Sequence, residues 1–376
     1  MATHERVETL IIGGGQAGLA VAYYLKSHER DFLILDAGER VGDSWRKRWP
    51  SLTLYSPAFK SGLPGMPFPA PGRSFPTGLE MADYLESYAE RFGLPVRNRV
   101  RVDALERNGD GYVARSGDHA FRADNVVVAT GVFRHENPVV PEFASDLDPA
   151  IRQLHSADYR SPQQLQPGSV LVVGAAHSGG DIAFEVAQAG FDTILSGRDT
   201  GQIPVDIHSP LAPFVFRVLG FVWTRVLTVS TPIGRKAKPK IRTHGGPLIR
   251  VKRADLQAAG VERVFERTVR VDDGRPVLAD GRILDVANVI WCTGFRNDYG
   301  WIRFPLPTEE DGYPEQRRGA VPSLPGLYFV GLPFLHSFAS MLILGAGRDG
   351  RRVAEHIVAR AARKPSTVGV RVAEAA

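Results

Sequence analysis

Residues 7–36 read VETLIIGGGQAGLAVAYYLKSHERDFLILD, and this stretch decides the fold. An apolar run, a glycine cluster, a helical pattern through Tyr24 and a second apolar run ending at Asp36 give strand, tight turn, helix and strand in that order. Gly13, Gly15 and Gly18 stand in GxGxxG spacing where the first strand meets the helix, and Asp36 lies 23 residues beyond Gly13. Gly13 permits the turn, Gly15 lets a pyrophosphate approach the backbone, and Gly18 lets the helix pack on the sheet. Gln16 and Ala17 open the helix, whose N-terminus stabilises phosphate charge, and Asp36 is placed to hydrogen-bond an adenosine ribose. A strand-to-helix turn wants glycine on steric grounds alone, so the context rather than the spacing points to a dinucleotide. The position at the head of the chain points to FAD, while spacing by itself leaves FAD and NAD open.

The pattern recurs at residues 169–198, SVLVVGAAHSGGDIAFEVAQAGFDTILSGR. The matching positions are Gly174, Ala176 and Gly179, with Ser178 beside them, so an alanine Cβ points toward the pyrophosphate path. Where the first copy ends in Asp36, the second ends in Ser196-Gly197-Arg198. A guanidinium there pairs with a 2′-phosphate that an acid would repel, so NADPH is expected over NADH; the alternative is a solvated loop arginine. Two such βαβ openings predict an α/β fold with two Rossmann-like dinucleotide-binding domains. The apolar runs ending in Thr130-Gly131 and Thr293-Gly294 read as the crossings between them. The expected division is a discontinuous FAD-binding domain, 1–164 and 291–376, holding an inserted NADPH-binding domain, 165–290, with its own insertion at 205–253.

Composition narrows the function classes. The 376 residues are 43% hydrophobic and 23% charged, which is globular and long enough for two cores. With 46 basic against 41 acidic residues, the net charge of +5 suits phosphorylated cofactors and is too small a bias to imply nucleic acid. Cys292 is the single cysteine, which removes dithiol relays and multi-thiolate metal sites, so no metal is expected. The short apolar run before the first glycines reads as a core strand rather than a signal peptide, and cytoplasmic location is the expectation.

Between Gly234 and Arg253 stand Arg235, Lys236, Lys238, Lys240, Arg242, Arg250, Lys252 and Arg253 with no acidic residue, after an apolar stretch from Leu211 to Val229. An apolar helix beside a basic run is what peripheral membrane contact through 211–253 requires. The same features suit a lid over a hydrophobic channel, or a packed helix followed by a solvated loop.

Two fingerprints 161 residues apart, GERVGDSW, LYSPAFKSGLPGMPFP, LHSADYRSPQQLQPGSVLVVGAAHSGGDIA and PGLYFVGLPFLHSFASMLILGAGRDG together resemble the class B flavin-containing monooxygenases over nearly the whole chain. The likeness is nearest to the short branch of YUCCA-like enzymes and bacterial NAD(P)/FAD-dependent oxidoreductases linked by name to cation transport. The family pattern FxGxxxHxxx(Y/F) falls on Pro149 to Tyr159, where His155 and Tyr159 match while Pro149 and Ile151 replace the Phe and Gly.

The resemblance implies an enzyme that uses FAD and NADPH. In that family NADPH reduces the flavin, which captures O2 as a C4a-(hydro)peroxide and oxygenates a small lipophilic, nitrogen- or sulfur-containing or carbonyl substrate. The alternative is an NADPH oxidoreductase or oxidase that passes electrons to O2, a quinone or a protein partner without oxygenation. A nucleotide-sensing regulator at a membrane is a third reading. The flavin carries the difficult step, so an acid/base triad is not required.

By resemblance, Gly42, Ser44 and Trp45 border the flavin, Trp45 being alternatively a core anchor. His155 and Ser156 approach the nicotinamide, and His336 and Ser340 lie on the substrate side. Gly347 and Asp349 precede the C-terminal helix aimed at the flavin pyrimidine edge, although an aspartate there also serves as a plain N-cap. Tyr55 stands where some members carry an asparagine that helps hold the oxygenated flavin. Tyr55, His155 and His336 are therefore the candidate catalytic side chains.

Overall fold

The computed structural model describes residues 4–132, 136–203, 206–207 and 209–363; Val205 and His208 of the expected insertion, and 364–376 of the expected FAD domain, lie outside the described residues. The chain opens with β1 (His4–Ile12), α1 (Gln16–Ser27) and β2 (Phe32–Leu35), the strand-turn-helix-strand order that the sequence predicts. A four-residue helix α2 (Asp43–Arg46) follows, then a long loop, α3 (Gly78–Arg91) and β3 (Val96–Arg97). Thr77 and Glu80 form a reciprocal capping box that fixes the start of α3. An antiparallel meander, β4 (Ala104–Asn108), β5 (Gly111–Ser116) and β6 (His119–Val128), completes this half. The strand order is β3-β2-β1-β6-β5-β4, and β1 runs parallel to both β2 and β6, with Ile12 in register with Leu35 and Val128. A central parallel strand is covered on both faces, which is why Leu10, Ile11 and Ile12 are consecutive, apolar and buried.

The second sheet is wholly parallel, in the order β10-β9-β8-β13-β7. It contains β7 (Arg152–His155), β8 (Val170–Val173), α4 (His177–Gln188) and β9 (Thr193–Ser196). Helices α5 (Ala212–Phe221), α6 (Pro232–Thr243) and α7 (Arg253–Ala258) come next, then β10 (Glu262–Val264). A β-ribbon, β11 (Thr268–Asp272) with β12 (Arg275–Leu278), leads into β13 (Asn288–Trp291). The chain then returns to the first sheet, where β14 (Leu327–Phe329) pairs with β6, and ends in α8 (Ile343–Arg363) packed along α1.

The two crossings run side by side: Val139 N donates to Gly294 O at 2.9 Å, and Arg296 N to Asn137 O at 2.8 Å. Because β7 pairs in register with β13, Arg152 opposite Asn288, the segment around 152–155 goes with the second sheet, and a boundary at 164 falls too late. Four residues reading RQLH carry no strand periodicity that could have signalled this.

One face of the insertion is docked on the rest of the chain. Arg242, whose side chain is 1% exposed, donates to Glu309 at 2.8 Å, to Asp311 at 3.0 Å and to Pro333 O at 3.2 Å, and Lys238 also pairs with Glu309. Val229 N donates to His336 O, and Phe338 N to Leu227 O, joining the insertion to the loop before α8. Among the described residues, no helix is long and apolar enough to cross a membrane.

Candidate functional site

The two glycine turns are built alike. Gly13 has φ +115° and Gly174 φ +106°, which L side chains rarely adopt, and a Cβ at either would meet a carbonyl oxygen, Ala129 O at 2.5 Å and Cys292 O at 2.4 Å. Gly18 and Gly179 press their helices onto these turns: a Cβ would lie 2.0 Å from Gly13 O and 1.7 Å from Gly174 O. Thr130-Gly131 and Thr293-Gly294 thus follow directly on the residues that pack against the turns, Ala129 and Cys292.

At Gly15 an added Cβ would meet nothing within 4 Å, so the space that a pyrophosphate would enter is open beside the α1 N-terminus, with Gln16 and Ala17 as its first residues. The Asp36 carboxylate accepts from Gly14 N at 2.6 Å and Gly38 N at 2.7 Å. Each oxygen keeps a further lone pair for a ribose hydroxyl. These residues fit FAD. In the second turn Ala176 takes the same extended backbone as Gly15, φ −86° against −78°, so alanine is unstrained there, and Ser178 and Gly179 open α4 behind it.

Arg198 is exposed just beyond β9, beside Gly197, whose added Cβ would lie 3.2 Å from Ala175 N in the second turn. A guanidinium at that place fits the 2′-phosphate of NADPH. The Ser196 hydroxyl is buried and bonded to Glu266 O and Thr268, so its side chain ties β9 to the following segment. The insertion also reaches this turn, since a Cβ on Gly245 would lie 2.4 Å from that of Ala176, and one on Gly246 would lie 2.4 Å from His177 Cε1.

Between the sheets lies a desolvated polar cluster. The Tyr55 ring stacks on His177 at 4.7 Å between centroids, and its hydroxyl donates to Asp181 Oδ2 at 2.9 Å. Arg250 approaches the same carboxylate at 3.4 Å. Burial pushes the Asp181 carboxyl up, against the opposing pull of Arg250 and Tyr55, and pushes the Tyr55 phenol well up. Burial also brings His177 down to about 4 and Arg48 down to about 10, leaving a neutral imidazole and a cation at neutral pH. Arg48 stacks over the Phe295 ring at 5.3 Å, and the opposite edge of the cluster holds His155, edge-on to that ring at 5.2 Å.

His155 Nδ1 accepts from Ala157 N at 3.1 Å, which places the proton on Nε2, and burial lowers its basicity. Nε2 is buried and faces the backbone of Gly294, which partly offsets the effect of burial. Neighbouring Ser156 is buried, with its N–H on Trp291 O. Tyr159 is fully buried and bonds Glu185, which makes this matched position a packing residue. Gly42 needs its φ of +92° at the start of α2, Ser44 is exposed, and Trp45 packs against the cores of both domains.

The C-terminal helix starts at Ile343, earlier than expected, so Gly347 and Asp349 lie within it and Asp349 is no N-cap. The glycines serve close packing instead: a Cβ on Gly345 would lie 2.0 Å from Ala339 O, and one on Gly347 2.8 Å from Pro64. Asp349 is buried, pushed up by that burial against the opposing pull of Arg348, Ser340 and Arg352, and bonded to Arg348 at 3.2 Å. Ser340 Oγ accepts from His336 N and Ser337 N. Burial and Arg352, Arg348, Arg318 and Arg225 bring His336 down to about 4.

Asp181, His177 and Arg48 received no role from the sequence, and Arg250 only a place in the basic run. The available signal was Asp181 itself, an acid in the helical run GGDIAFEVA on the face that packs inward. A cavity of about 290 Å³ beneath α5, lined by Pro57, Arg73, Phe75, Ile207, Ala212 and Phe216 among others, includes none of the glycine-turn residues.

Comparison with known proteins agrees with this geometry. A family profile described as pyridine nucleotide-disulphide oxidoreductase matches residues 10–228. An uncharacterized CzcO-like oxidoreductase of Geobacillus kaustophilus is 36% identical across 94% of this chain and 98% of its own length. A probable indole-3-pyruvate monooxygenase, YUCCA7 of Arabidopsis thaliana, is 28% identical across 93% of this chain and 86% of its own. A flavin-containing monooxygenase from Stenotrophomonas maltophilia superposes with a TM-score of 0.77 at 26% identity, covering 95% of this chain and 99% of that one. The disulphide part of the family description has no counterpart here, because Cys292 is alone and burial holds its thiol protonated. The chain belongs to the pyridine nucleotide-disulphide oxidoreductase family, and within it to the class B flavin-monooxygenase-like enzymes.

Proposed function

We propose that the enzyme uses NADPH to reduce bound FAD and transfers one atom of O2 to a small lipophilic, nitrogen- or sulfur-containing or carbonyl substrate, releasing water and NADP+. The observation that carries this reading is the Tyr55–His177–Asp181 contact, which closes a desolvated polar cleft between two like-built nucleotide cradles. When bound, FAD supplies hydride acceptance and O2 activation.

The chain's own groups bind, orient and exclude water. Gly13, Gly15, Gln16, Ala17, Gly18 and Asp36 hold the FAD diphosphate and ribose, with Thr130 and Gly131 beside them. Gly42, Ser44 and Trp45 border the ring, and Gly347 and Asp349 bring the first turns of α8 toward it. Gly174, Ser178, Gly179, Thr293 and Gly294 hold the nicotinamide nucleotide, Ser196 fixes the strand end behind it, and Arg198 takes the 2′-phosphate. Arg48 is a desolvated cation that stabilises negative charge developing in the cleft. His155 and His336 are neutral at working pH and act as hydrogen-bonding rather than charged groups. A relative named for indole-3-pyruvate puts keto acids among the first substrates to try.

The second reading, an NADPH oxidase or reductase, is favoured by one detail. The Tyr55 hydroxyl is committed to Asp181, so it is not a donor toward activated oxygen. To decide, the purified flavoprotein is reduced anaerobically with NADPH and mixed with O2 while flavin absorbance and peroxide are followed. A transient band distinct from reduced and oxidised flavin, with labelled oxygen in the product, is expected. Direct return to oxidised flavin with stoichiometric peroxide, in the presence of amines, sulfides, ketones and keto acids alike, overturns oxygenation in favour of the oxidase.

A further inference from the structure

The outward face of α5 carries Leu211 at its N-cap, then Phe214, Val218 and Phe221, exposed at 69%, 67%, 46% and 61%. Spacings of three, four and three residues put them on one stripe, and Arg225, four residues further on in the wide turn Val222–Val226, continues it. The opposite face is anchored: Phe216 packs on Phe75 with centroids 5.4 Å apart, and Gly220 lies against Lys60 and Leu344. The fold therefore holds the apolar stripe toward solvent. Single exposed apolar side chains are ordinary, whereas four large ones in a row on one helix mark a contact surface.

Cations surround the stripe. Arg217 and Lys60 both lie over the ring of exposed Phe59, at 5.3 and 5.6 Å. Arg225 shares its neighbourhood with Arg318, Arg348 and Arg352, which all face His336, and the carboxylate paired with Arg348 and Arg352, Asp349, is itself buried. Helix α6 repeats the pattern with Ile233, Lys236 and Lys240, all exposed at positions i, i+3 and i+7. No Asp or Glu occurs from 207 to 254. Lys238, Arg242, Arg250 and Arg253 are taken up by carboxylates within the protein. Arg217, Arg225, Arg235, Lys236 and Lys240 are exposed and have no carboxylate within salt-bridge distance among the described residues, so they are free to meet an external partner.

We propose that this face is a docking surface for an anionic lipid bilayer, with the α5 stripe entering the headgroup boundary and the surrounding cations meeting lipid phosphates. An acidic protein surface would satisfy the cations but not four protruding apolar side chains; an anionic bilayer satisfies both. The inference is independent of the reaction that the flavin cleft performs.

Flotation of the full-length, FAD-loaded protein tests it, using vesicles of phosphatidylcholine with about one third phosphatidylglycerol and vesicles of phosphatidylcholine alone. Binding to the anionic vesicles at low salt, weakened by high salt, is expected. Phe214→Ser/Phe221→Ser is expected to lower partition by about tenfold or more, since two exposed rings no longer enter the lipid. Lys236→Glu/Lys240→Glu, at two exposed positions away from the cleft, lowers it while leaving flavin content and NADPH oxidation in solution unchanged. Absence of flotation at low salt overturns the proposal, as does equal flotation of the double serine variant. A dimer that the double serine variant dissociates, with no vesicle binding by the parent, also overturns it and assigns the stripe to a second copy of the chain.

Discussion

The Tyr55 hydroxyl donates to Asp181 Oδ2 at 2.9 Å and is the polar bond that ties the loop after α2 to the first turns of α4 across the domain cleft. Tyr55→Phe keeps the ring on His177 and removes only the hydroxyl, leaving a buried carboxylate with Arg250 alone. A lost hydrogen bond to a buried charged group costs about 1–3 kcal/mol, so the melting temperature falls by several degrees while FAD stays bound. A loosened cleft also releases more peroxide per NADPH consumed. Melting and peroxide yield both unchanged would show that the bond neither clamps the domains nor protects the reaction.

The open space at Gly15 and the crowded one at Gly13 separate binding from folding. Gly15→Leu projects into the pyrophosphate path without meeting protein, so the variant folds with native circular dichroism and loses its flavin. Gly13→Ala meets Ala129 O at 2.5 Å from a backbone at φ +115°, so it loses the fold itself. Full flavin occupancy in soluble Gly15→Leu is the result that would remove the cradle assignment.

Both glycine turns were legible because they are local: strand, turn, helix and the residue after the next strand, Asp36 in one and Arg198 in the other, sit within 30 residues of one another. The cleft was not, because Tyr55 and Asp181 are 126 positions apart and meet only once two sheets have folded. The start of α8 misled for a different reason. GAGRDG has turn composition, yet Gly345 and Gly347 are there to let a helix approach Ala339 and Pro64. The basic run likewise divides only in three dimensions, into cations paired inside the protein and cations turned outward.

Arg198 stands exposed beyond β9, where a 2′-phosphate would arrive. Arg198→Ala is expected to raise KM for NADPH by about tenfold to a hundredfold, the worth of a charge-assisted guanidinium–phosphate pair, and to leave KM for NADH nearly unchanged. Steady-state flavin reduction with both nucleotides measures the ratio. An unaltered preference would assign nucleotide choice to other residues.

His177 titrates near 4 in the folded protein against 6.5 ordinarily, because burial disfavours its charged form. Below pH 6.5 the unfolded chain takes up a proton that the folded chain refuses until about 4, so this group's contribution is intact above 6.5 and is lost as pH falls toward 4. The slope approaches ~1.4 kcal/mol per pH unit within that window. His177→Phe keeps an aromatic ring against Tyr55 and cannot titrate, so its stability to urea should fall less steeply between neutral pH and the lower end of the window. Parallel pH profiles for parent and variant would exclude His177 as a source of acid sensitivity.

Arg242 holds α6 to the first domain through Glu309, Asp311, the Pro333 carbonyl and the face of Tyr313, 4.4 Å from its guanidinium. Removing one partner of a buried ion pair strands the other, here Glu309, which keeps Lys238, and Asp311, which keeps only the Tyr313 N–H, at a cost of about 2–4 kcal/mol. That cost falls on docking rather than on the glycine-turn cradles, so Arg242→Ala should free α6 locally while the flavin stays bound. Limited trypsin digestion reads this directly: rapid cleavage at Arg235, Lys236 or Lys240 is expected in the variant and slow cleavage in the parent. Arg242→Lys should lie between them, since it keeps the charge and loses the planar fork that reaches Glu309 and Asp311 together. Identical digestion of all three proteins would mean that the backbone pairing around Thr228 and Ser337 suffices to seat the insertion.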